Sequence, residues 1–335
     1  MAHASVCVSA RAETRAHAAE CFARLVRAVL GSSAVSPKKM GHGLSLVILG
    51  IRIALSSEGY HLTLDRAKAL KCLAAIDAAI AAGGVMCEGT AQKLSGRLSW
   101  ATQYLFYRLG RAMLRPFFQK GADRTVALQW WRAVLAHEIS EHKLWDAPDS
   151  SCALLFVDAR GSPARCAAVL LIDGQSFYTD GAPADEHVAH LNRRADNQIT
   201  ALEIMAIGVG LSTFADLLAG RKVLVFSDNT GAEVRASSCA AFSLIWRGAQ
   251  AAARKGSCRA WDLGWMIHEL WTLAVLNKIH LWIERVASDD NISDLPSRER
   301  YRLLESMGAT WRPPMLARLL CEHCPVGCHG SREGA

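Results

Sequence analysis

The sequence predicts an α/β fold with a mixed sheet, in which a three-strand antiparallel meander continues into parallel strands and helices cover both faces. Residues 222–227 form a short, largely apolar run that ends directly in Asp228, and residues 153–157 run into Asp158 in the same way. Such runs are typical of strands buried on both faces in the middle of a sheet. Residues 164–179 predict two further strands around an Asp-Gly turn, which completes the meander.

The size and charge of the chain suggest two modules. Its 335 residues, 51% of them hydrophobic, suffice for two domains with cores of their own. The net charge is +7, and residues 1–150 hold 19 Lys and Arg against 11 Asp and Glu, whereas residues 151–335 hold 19 against 20. A basic module beside a neutral one favours a polyanionic partner, and a role in solubility alone is the alternative.

Composition also predicts the compartment. The longest apolar candidate for a membrane span, residues 44–55, is short and contains Arg52, so no membrane partner is expected. The N-terminus lacks the basic region followed by an apolar one that marks a secretory signal. Eleven cysteines without a framework spacing predict free thiols in a reducing intracellular compartment, the cytoplasm or the nucleus.

The first half is predicted to be mainly helical. Apolar spacing predicts a strand or hairpin within residues 44–55, around Gly50, and helices over residues 12–30, 64–82, 90–114 and 126–139. Trp130 and Trp131 are expected in the core. The polar stretch 147–151 predicts a domain boundary.

The predicted helix over residues 90–114 carries two faces. One is an apolar stripe of Leu94, Leu98, Ala101, Leu105 and Leu109. The other recurs at intervals of three or four and extends just past the helix: Lys93, Arg97, Trp100, Tyr104, Arg108, Arg111 and Arg115. Arginines interleaved with aromatic residues fit phosphate contact and base stacking, so this face predicts nucleic-acid binding. A solvated cationic face with Trp100 half-buried is the alternative.

The second half alternates strands and helices beyond the meander. The order predicted is a charged, His-rich loop (180–196), a helix (197–218), the strand ending in Asp228, helices to residue 255 and over 263–276, a strand (280–286), and an acidic loop (287–298) that opens a terminal helix. Glu203 is the only charged residue between residues 201 and 215. An ionised carboxylate there is costly unless it holds a metal or meets a distant basic partner.

Four acids are expected to meet in one cleft: Asp158, Glu203, Asp228 and Asp294. Ligands of open α/β sheets bind beyond the carboxyl ends of the strands, although Asp228 alone would also suit a helix cap. Crowded carboxylates repel each other unless cations neutralise them, and oxygen ligands suit Mg²⁺ or Mn²⁺. Two such ions clamp the attacking and leaving oxygens of a phosphodiester. Asp289 and Asp290 are alternatives to Asp294.

The motifs around these acids resemble one family. They read Phe-Val-Asp-Ala-Arg (156–160), Ala-Leu-Glu (201–203), Phe-Ser-Asp-Asn-Thr-Gly-Ala-Glu (226–233) and Ser-Asp-Asp-Asn-Ile-Ser-Asp-Leu-Pro-Ser-Arg (288–298). With them, residues 151–312 resemble the ribonuclease H domain of retroelement reverse transcriptases. The first half is similar to the end of the palm, the thumb and the connection of those enzymes. That similarity rests on Ser-Pro-Lys-Lys-Met (36–40), Leu-Gly-Ile-Arg-Ile (49–53) and Gln-Lys-Leu-Ser-Gly-Arg-Leu-Ser-Trp-Ala (92–101).

The resemblance implies four segments: a palm end (1–60), a helical basic thumb or connection (61–147), a ribonuclease H-like domain (151–312) and a Cys/His tail (313–335). It implies that Asp158 bridges both metals, that Asp294 helps hold the metal that activates water, and that Glu203 with Asp228 holds the other. The implied reaction is hydrolysis of the RNA strand of RNA–DNA hybrids, leaving a 3′-hydroxyl.

The chain departs from this family in its first half. No Tyr-x-Asp-Asp-type pair precedes residue 150, and Asp65 and Asp77 fall on a predicted helix. Polymerase activity is therefore not expected of this chain alone, and the missing palm and fingers are expected partners of the apolar face of helix 12–30. Two alternatives stay open: a non-catalytic nucleic-acid-binding remnant, and another ribonuclease H-like nuclease of the transposase or integrase type.

The C-terminal tail contains thiols and imidazoles, which are zinc ligands. The residues are Cys321, His323, Cys324, Cys328 and His329. The segment is too short for a usual zinc knuckle, so a flexible tail is expected instead.

Overall fold

A computed structural model describes residues 12–35, 43–48, 50–104, 108–119, 121–137, 140–144, 152–192, 198–228, 249–258 and 261–315. The described chain is α/β and builds two sheets, one of four antiparallel strands and one of six mixed strands. None of the helices within these ranges is both long enough and apolar enough to cross a bilayer.

Among the described residues, the first half contains five helices and the four-stranded sheet. The helices are α1 (Ala12–Leu30), α2 (Arg66–Ala81), α3 (Glu88–Tyr104), α4 (Arg115–Phe118) and α5 (Thr125–Ala136). The strands are β1 (Ser45–Ile48), β2 (Ile51–Leu55), β3 (Gly59–Leu64) and β4 (Ser140–Leu144), in spatial order β1-β2-β3-β4. The hairpin around Gly50 is confirmed, and Gly50 has the positive φ of +93° that its turn requires. Neither β3 nor β4 was predicted.

Helix α3 ends at Tyr104, ten residues before the predicted end at residue 114. Arg108 has a φ of +72° and Gly110 a φ of +81°, which no α-helix accommodates. A Cβ atom on Gly110 would lie 2.7 Å from the ring of Trp130. Close packing against α5 therefore breaks the helix. The apolar stripe itself is confirmed, because Leu94, Leu98, Ala101 and Leu109 are buried; Leu105 lies outside the described residues.

The second half contains the six-stranded sheet and its covering helices. The strands are β5 (Ala153–Gly161), β6 (Ala164–Ile172), β7 (Gln175–Gly181), β8 (Lys222–Ser227), β9 (His280–Arg285) and β10 (Thr310–Trp311). The helices are α6 (Asp185–Asn192), α7 (Ile199–Thr213), α8 (Ala215–Leu218), α9 (Ala249–Lys255), α10 (Trp261–Leu276), α11 (Asp294–Ser297) and α12 (Arg302–Ser306). Short 3₁₀ turns occupy residues 32–34, 112–114 and 288–290.

The sheet order is β10-β7-β6-β5-β8-β9, which confirms the predicted meander and its parallel continuation. Strands β5, β6 and β7 pair antiparallel, whereas β8 pairs parallel with both β5 and β9. Helix α7 packs on one face, and α11 with Leu304 of α12 packs on the other. Helices on both faces are thus confirmed.

A single core joins the two halves. Its buried side chains run from Ile51 in β2 to Ile283 in β9, and both Trp131 and Phe214 are fully enclosed. Trp131 confirms its predicted place, and Trp130 packs on this core partly buried. Helix α7 is buried on all sides from Ala201 to Thr213, which accounts for its apolar sequence.

Three predictions about the second half need correction. Strand β5 does not end at Asp158, because its antiparallel pairing with β6 continues to Gly161. The expected loop over residues 180–196 contains the end of β7 and helix α6, whose acidic first turn favours a helix start. The two-residue strand β10, which pairs with β7, was not predicted.

Some predictions fall on residues that the structure does not describe. They concern the motif segments 36–40 and 229–233, the boundary at residues 147–151, and the Cys/His tail from residue 316 onward. On α1, the apolar residues Phe22, Leu25 and Val29 are exposed.

Candidate metal centre

Three of the four predicted acids lie together. Asp158 of β5, Glu203 of α7 and Asp228 at the end of β8 each offer a carboxylate oxygen, and these three oxygens lie within 4.8 Å of one another. Asp158 and Glu203 are buried, while Asp228 is half-buried. Three carboxylates at this separation form a group that can hold a metal ion.

Strand register places the two aspartates side by side. The parallel pairing of β5 with β8 ends at Phe156 opposite Phe226, whose rings stack with centroids 4.9 Å apart. Asp158 and Asp228 each follow two residues later. Because side chains alternate along a strand, both carboxylates emerge on the same face as the stacked rings.

Helix α7 brings Glu203 to the same point from the other face. The helix packs closely on β5 and β6 at Gly210, where a Cβ atom would meet Ala168 at 3.1 Å and Leu155 at 3.2 Å. Ser227, the residue before Asp228, donates a hydrogen bond from Oγ to Glu203 Oε2 (3.4 Å). The sheet and this helix therefore fix Glu203 against the ends of both central strands.

In the absence of a cation, burial and mutual repulsion favour the protonated forms of Glu203 and Asp158. Burial raises the pKa of Glu203 well above its ordinary value, and the charges of Asp158 and Asp228 raise it further. Burial likewise raises the pKa of Asp158, with the charges of Asp228 and Asp294 adding to it. Hydrogen bonds from the Ser297 hydroxyl and the Ala159 amide oppose this rise at Asp158.

Within the described chain, no basic residue forms a direct ion pair with these three acids. Neither Asp158, Glu203 nor Asp228 forms a salt bridge with any Lys, Arg or His that the structure describes. The alternative interpretation, in which a distant basic residue pairs with Glu203, therefore has no support among the described residues. Oxygen-only donors with this uncompensated charge suit a hard divalent cation.

Asp294, the fourth predicted acid, lies beside the three and has a partner of its own. Arg298 donates from Nε to Asp294 Oδ1 at 2.6 Å, and the Asp294 side chain is 31% exposed. Its charge reaches Asp158, whose pKa it helps to raise. The alternatives Asp289 and Asp290 are exposed in the 3₁₀ turn before it.

Asn291 connects the turn before α11 to the sheet by hydrogen bonds. Its Nδ2 donates to the backbone oxygen of Val157 (3.0 Å), next to Asp158, and Ser293 donates from Oγ to Asn291 Oδ1 (2.6 Å). Asn291 and Ser293 are both buried. The polar contacts thereby hold the start of α11 beside Asp158.

The predicted nucleic-acid face does not form one surface, and this prediction was wrong in its geometry. Lys93 and Arg97 are exposed on α3 and Trp100 is half-buried, whereas the side chain of Tyr104 is not described. The three later arginines lie past the end of the helix.

Two of those arginines pack inward. Arg108 lies over the ring of Trp271, 5.9 Å from its centroid, and Arg111 donates from Nη1 to the backbone oxygen of Lys255 (2.8 Å). Burial lowers the pKa of both guanidinium groups. Arg115 is half-buried. These contacts join the first half to α9 and α10, so Arg108 and Arg111 have a structural place.

Sequence reasoning missed two residues at the centre. Ser227 contacts Glu203, and Arg298 holds Asp294. The spacing of Asp294 and Arg298, four residues apart at a helix start, was a usable signal because such pairs face each other on one turn. Ser227 had no comparable signal.

Comparisons with known proteins add no assignment. The sequence matches no protein-family model and no curated protein.

Proposed function

We propose that the chain is a metal-dependent phosphodiester hydrolase of the ribonuclease H type that cleaves the RNA strand of RNA–DNA hybrids. The observation that carries the proposal is the convergence of Asp158, Glu203 and Asp228 just beyond the point where the parallel pairing of β5 with β8 ends. These acids also occur in the motifs that resemble retroelement ribonuclease H domains.

The sheet supports this reading beyond the three acids. Its five main strands run β7-β6-β5-β8-β9, with an antiparallel meander followed by two parallel strands. The arrangement fits a ribonuclease H-like fold, and many other α/β proteins share parts of it. The function is therefore argued from the site rather than from the fold.

The fit of the residues to Mg²⁺ or Mn²⁺ rests on their donor atoms and surroundings. Asp158, Glu203 and Asp228 would hold one ion, and Asp294 beside Asp158 would contribute to a second. A pair of bound ions supplies an activated water and stabilises the charge on the leaving oxygen. Ser227 orients the carboxylate of Glu203 by a hydrogen bond from its hydroxyl. Burial of Glu203 excludes bulk water from one side of the site.

The proposed partner is a hybrid duplex inside the cell. Lys93 and Arg97 are exposed on α3 and are available for phosphate contact. The exposed apolar residues of α1 suit a protein surface such as the palm of a polymerase. Both partner assignments belong to the proposal.

The decisive experiment uses the whole chain with an end-labelled RNA–DNA hybrid and Mg²⁺. Asp228→Asn should reduce cleavage at least about 100-fold, because loss of a metal ligand removes several kcal/mol of transition-state stabilisation. Asp289→Asn, a change of the same kind at an exposed acid, should retain activity within about twofold.

Three outcomes would overturn this assignment. Absence of cleavage in the wild-type protein, or cleavage that survives Asp228→Asn, removes the catalytic proposal and favours a non-catalytic binding protein. Duplex DNA cleaved in preference to the hybrid would move the chain to the transposase or integrase type of nuclease.

A further inference from the structure

The ion pair between Asp294 and Arg298 stands out in the neighbourhood of the proposed centre. It joins Nε to Oδ1 at 2.6 Å, a short charge-assisted hydrogen bond. Asp294 thereby directs one carboxylate oxygen to a guanidinium. Metal binding needs a carboxylate oxygen of the same kind, so Arg298 and a cation would compete for it.

The charge of Arg298 extends beyond its direct partner. The negative charges of Asp294, Asp158 and Asp228 all raise the pKa of the Arg298 guanidinium, with the hydrogen bond to Asp294 as the first cause. Arg298 therefore acts as a counterion for this side of the acidic cluster.

The Arg298 side chain can move away from Asp294 without disturbing the fold. Its backbone N–H is held at the end of α11 by the carbonyls of Asp294 (3.3 Å) and Leu295 (3.2 Å). Its side chain is 54% exposed. A rotation about the side-chain bonds would move the guanidinium into solvent while the backbone and Ser297 stay in place.

We propose that Arg298 is an internal counterion that occupies Asp294 and must be displaced before a cation binds between Asp294 and Asp158. This inference rests on the proposed metal centre and adds the order in which cations occupy its two positions. The position among Asp158, Glu203 and Asp228 fills first, and the Asp294 position is the weaker one. Arg298 is thus a positioning residue that acts through Asp294.

Calorimetric titration of the whole chain with Mn²⁺ in 0.1 M salt tests the inference without reference to catalysis. Arg298→Ala should tighten the weaker Mn²⁺ step by roughly two- to fivefold, the range expected from removing a partly exposed ion pair. Arg298→Lys, which keeps the charge, should restore most of the wild-type affinity.

A control variant separates direct competition from a general change of charge. Arg302→Ala removes one positive charge at an exposed position of α12 and should leave both Mn²⁺ steps close to wild type. In an Asp294→Asn background, Arg298→Ala should tighten Mn²⁺ binding less than it does in the wild-type protein, because only the longer-range attraction to Asp158 and Asp228 is then removed. Thermal melting in chelator verifies that each variant is folded.

The two proposals fail in different ways. If the wild-type protein binds Mn²⁺ but Arg298→Ala and Arg302→Ala bind it equally, the counterion role is overturned and the metal centre stands. If Arg298→Ala binds Mn²⁺ more weakly, Arg298 assists binding and the inference is also overturned. If neither the wild-type protein nor any variant binds Mn²⁺, the metal centre fails and the inference fails with it.

Discussion

Asp180 and the triad of Asp158, Glu203 and Asp228 are acids at the same sheet, and the protein stabilises their charges to different extents. Ala167 of β6 pairs with Asp158 on one side and with Asp180 on the other, so the three residues form one cross-strand row. Two strand spacings put the Cα atoms of the two aspartates roughly 10 Å apart on the same face. Their exposures are alike, 7% for Asp158 and 6% for Asp180.

Protein groups compensate Asp180 fully. Arg165 forms an ion pair with Oδ2 at 2.7 Å, Tyr301 donates to the same oxygen at 3.0 Å, and Trp311 donates to Oδ1 at 3.3 Å. These groups line a shallow cavity of about 330 Å³ with Tyr178. They also join β6, β7, β10 and the chain after α11. Asp180 is therefore a structural acid.

The triad has hydrogen bonds from Ser227 and Ser297 but no ion pair among the residues described. Asp158 and Asp180 are equally buried, but only Asp180 has an ion pair, and this difference separates an acid that stabilises the fold from acids that require a ligand from outside the chain. A buried carboxylate that the protein does not neutralise is costly to the folded state. A divalent cation bound to the triad would offset this cost.

The largest expected effect comes from replacing Asp180, the acid that protein groups compensate. Asp180→Asn should lower the free energy of unfolding by about 2–3 kcal/mol, because Arg165 loses its buried acidic partner and the longer contact to the half-exposed Glu299, at 3.5 Å, does not replace it. Thermal and urea melts of the whole chain measure the loss. Asp216→Asn is the matched control, since it removes an exposed Asp–Arg pair with Arg312 and should cost no more than about 1 kcal/mol. Equal losses would contradict the assignment of Asp180.

The next effect comes from adding Mn²⁺, the kind of cation that the triad is proposed to bind. At an Mn²⁺ concentration about 100 times its dissociation constant, binding to the folded state contributes about 2.7 kcal/mol, which should raise Tm by several degrees. Asp158→Asn should abolish this rise, whereas Asp180→Asn should lower the starting Tm and leave the rise intact. An Mn²⁺ response that survives in Asp158→Asn would place the ion elsewhere.

A smaller effect removes the charge of Glu203. In chelator at pH 8, Glu203→Gln should stabilise the protein by about 1–2 kcal/mol, because the uncompensated buried carboxylate is lost and the hydrogen bond from Ser227 can remain. With saturating Mn²⁺ the sign should reverse, since a ligand has been removed. Destabilisation in chelator would show that Glu203 is already compensated.

The same residue predicts a pH dependence whose sign follows from the pKa. The folded state raises the pKa of Glu203 above its ordinary value of 4.5 and so keeps the proton to higher pH than the unfolded chain does. The associated stability is complete below pH 4.5 and is lost as the pH rises through the raised folded pKa. The difference between wild type and Glu203→Gln in chelator should therefore widen with increasing pH. A constant difference would contradict the raised pKa.

The triad was predictable because local patterns encode it. Apolar runs that end in Asp158 and Asp228, and one acid on the apolar helix of Glu203, required only strand alternation and the cost of a buried charge. The compensated site was not predictable, because Asp180 meets Tyr301 and Trp311 from more than 100 residues away. Sequence spacing carries no information about such contacts.

The same distinction between local sequence patterns and distant contacts explains the errors in predicting β4 and the end of α3. Strand β4 has the polar sequence Ser-Glu-His-Lys-Leu and forms by pairing with β3, which lies far earlier in the chain. The helical periodicity through Arg108 and Arg111 was real, but packing of Gly110 on Trp130 overrides it. Local propensity yields to tertiary contact at both places.

Anomalous diffraction from a crystal of the whole chain soaked in Mn²⁺ would locate any ion bound at the triad. We predict an anomalous peak at about 2.0–2.3 Å from one oxygen each of Asp158, Glu203 and Asp228, and none at Asp180. A peak at Asp180, or an empty triad at an Mn²⁺ concentration that supports cleavage of the hybrid, would contradict it.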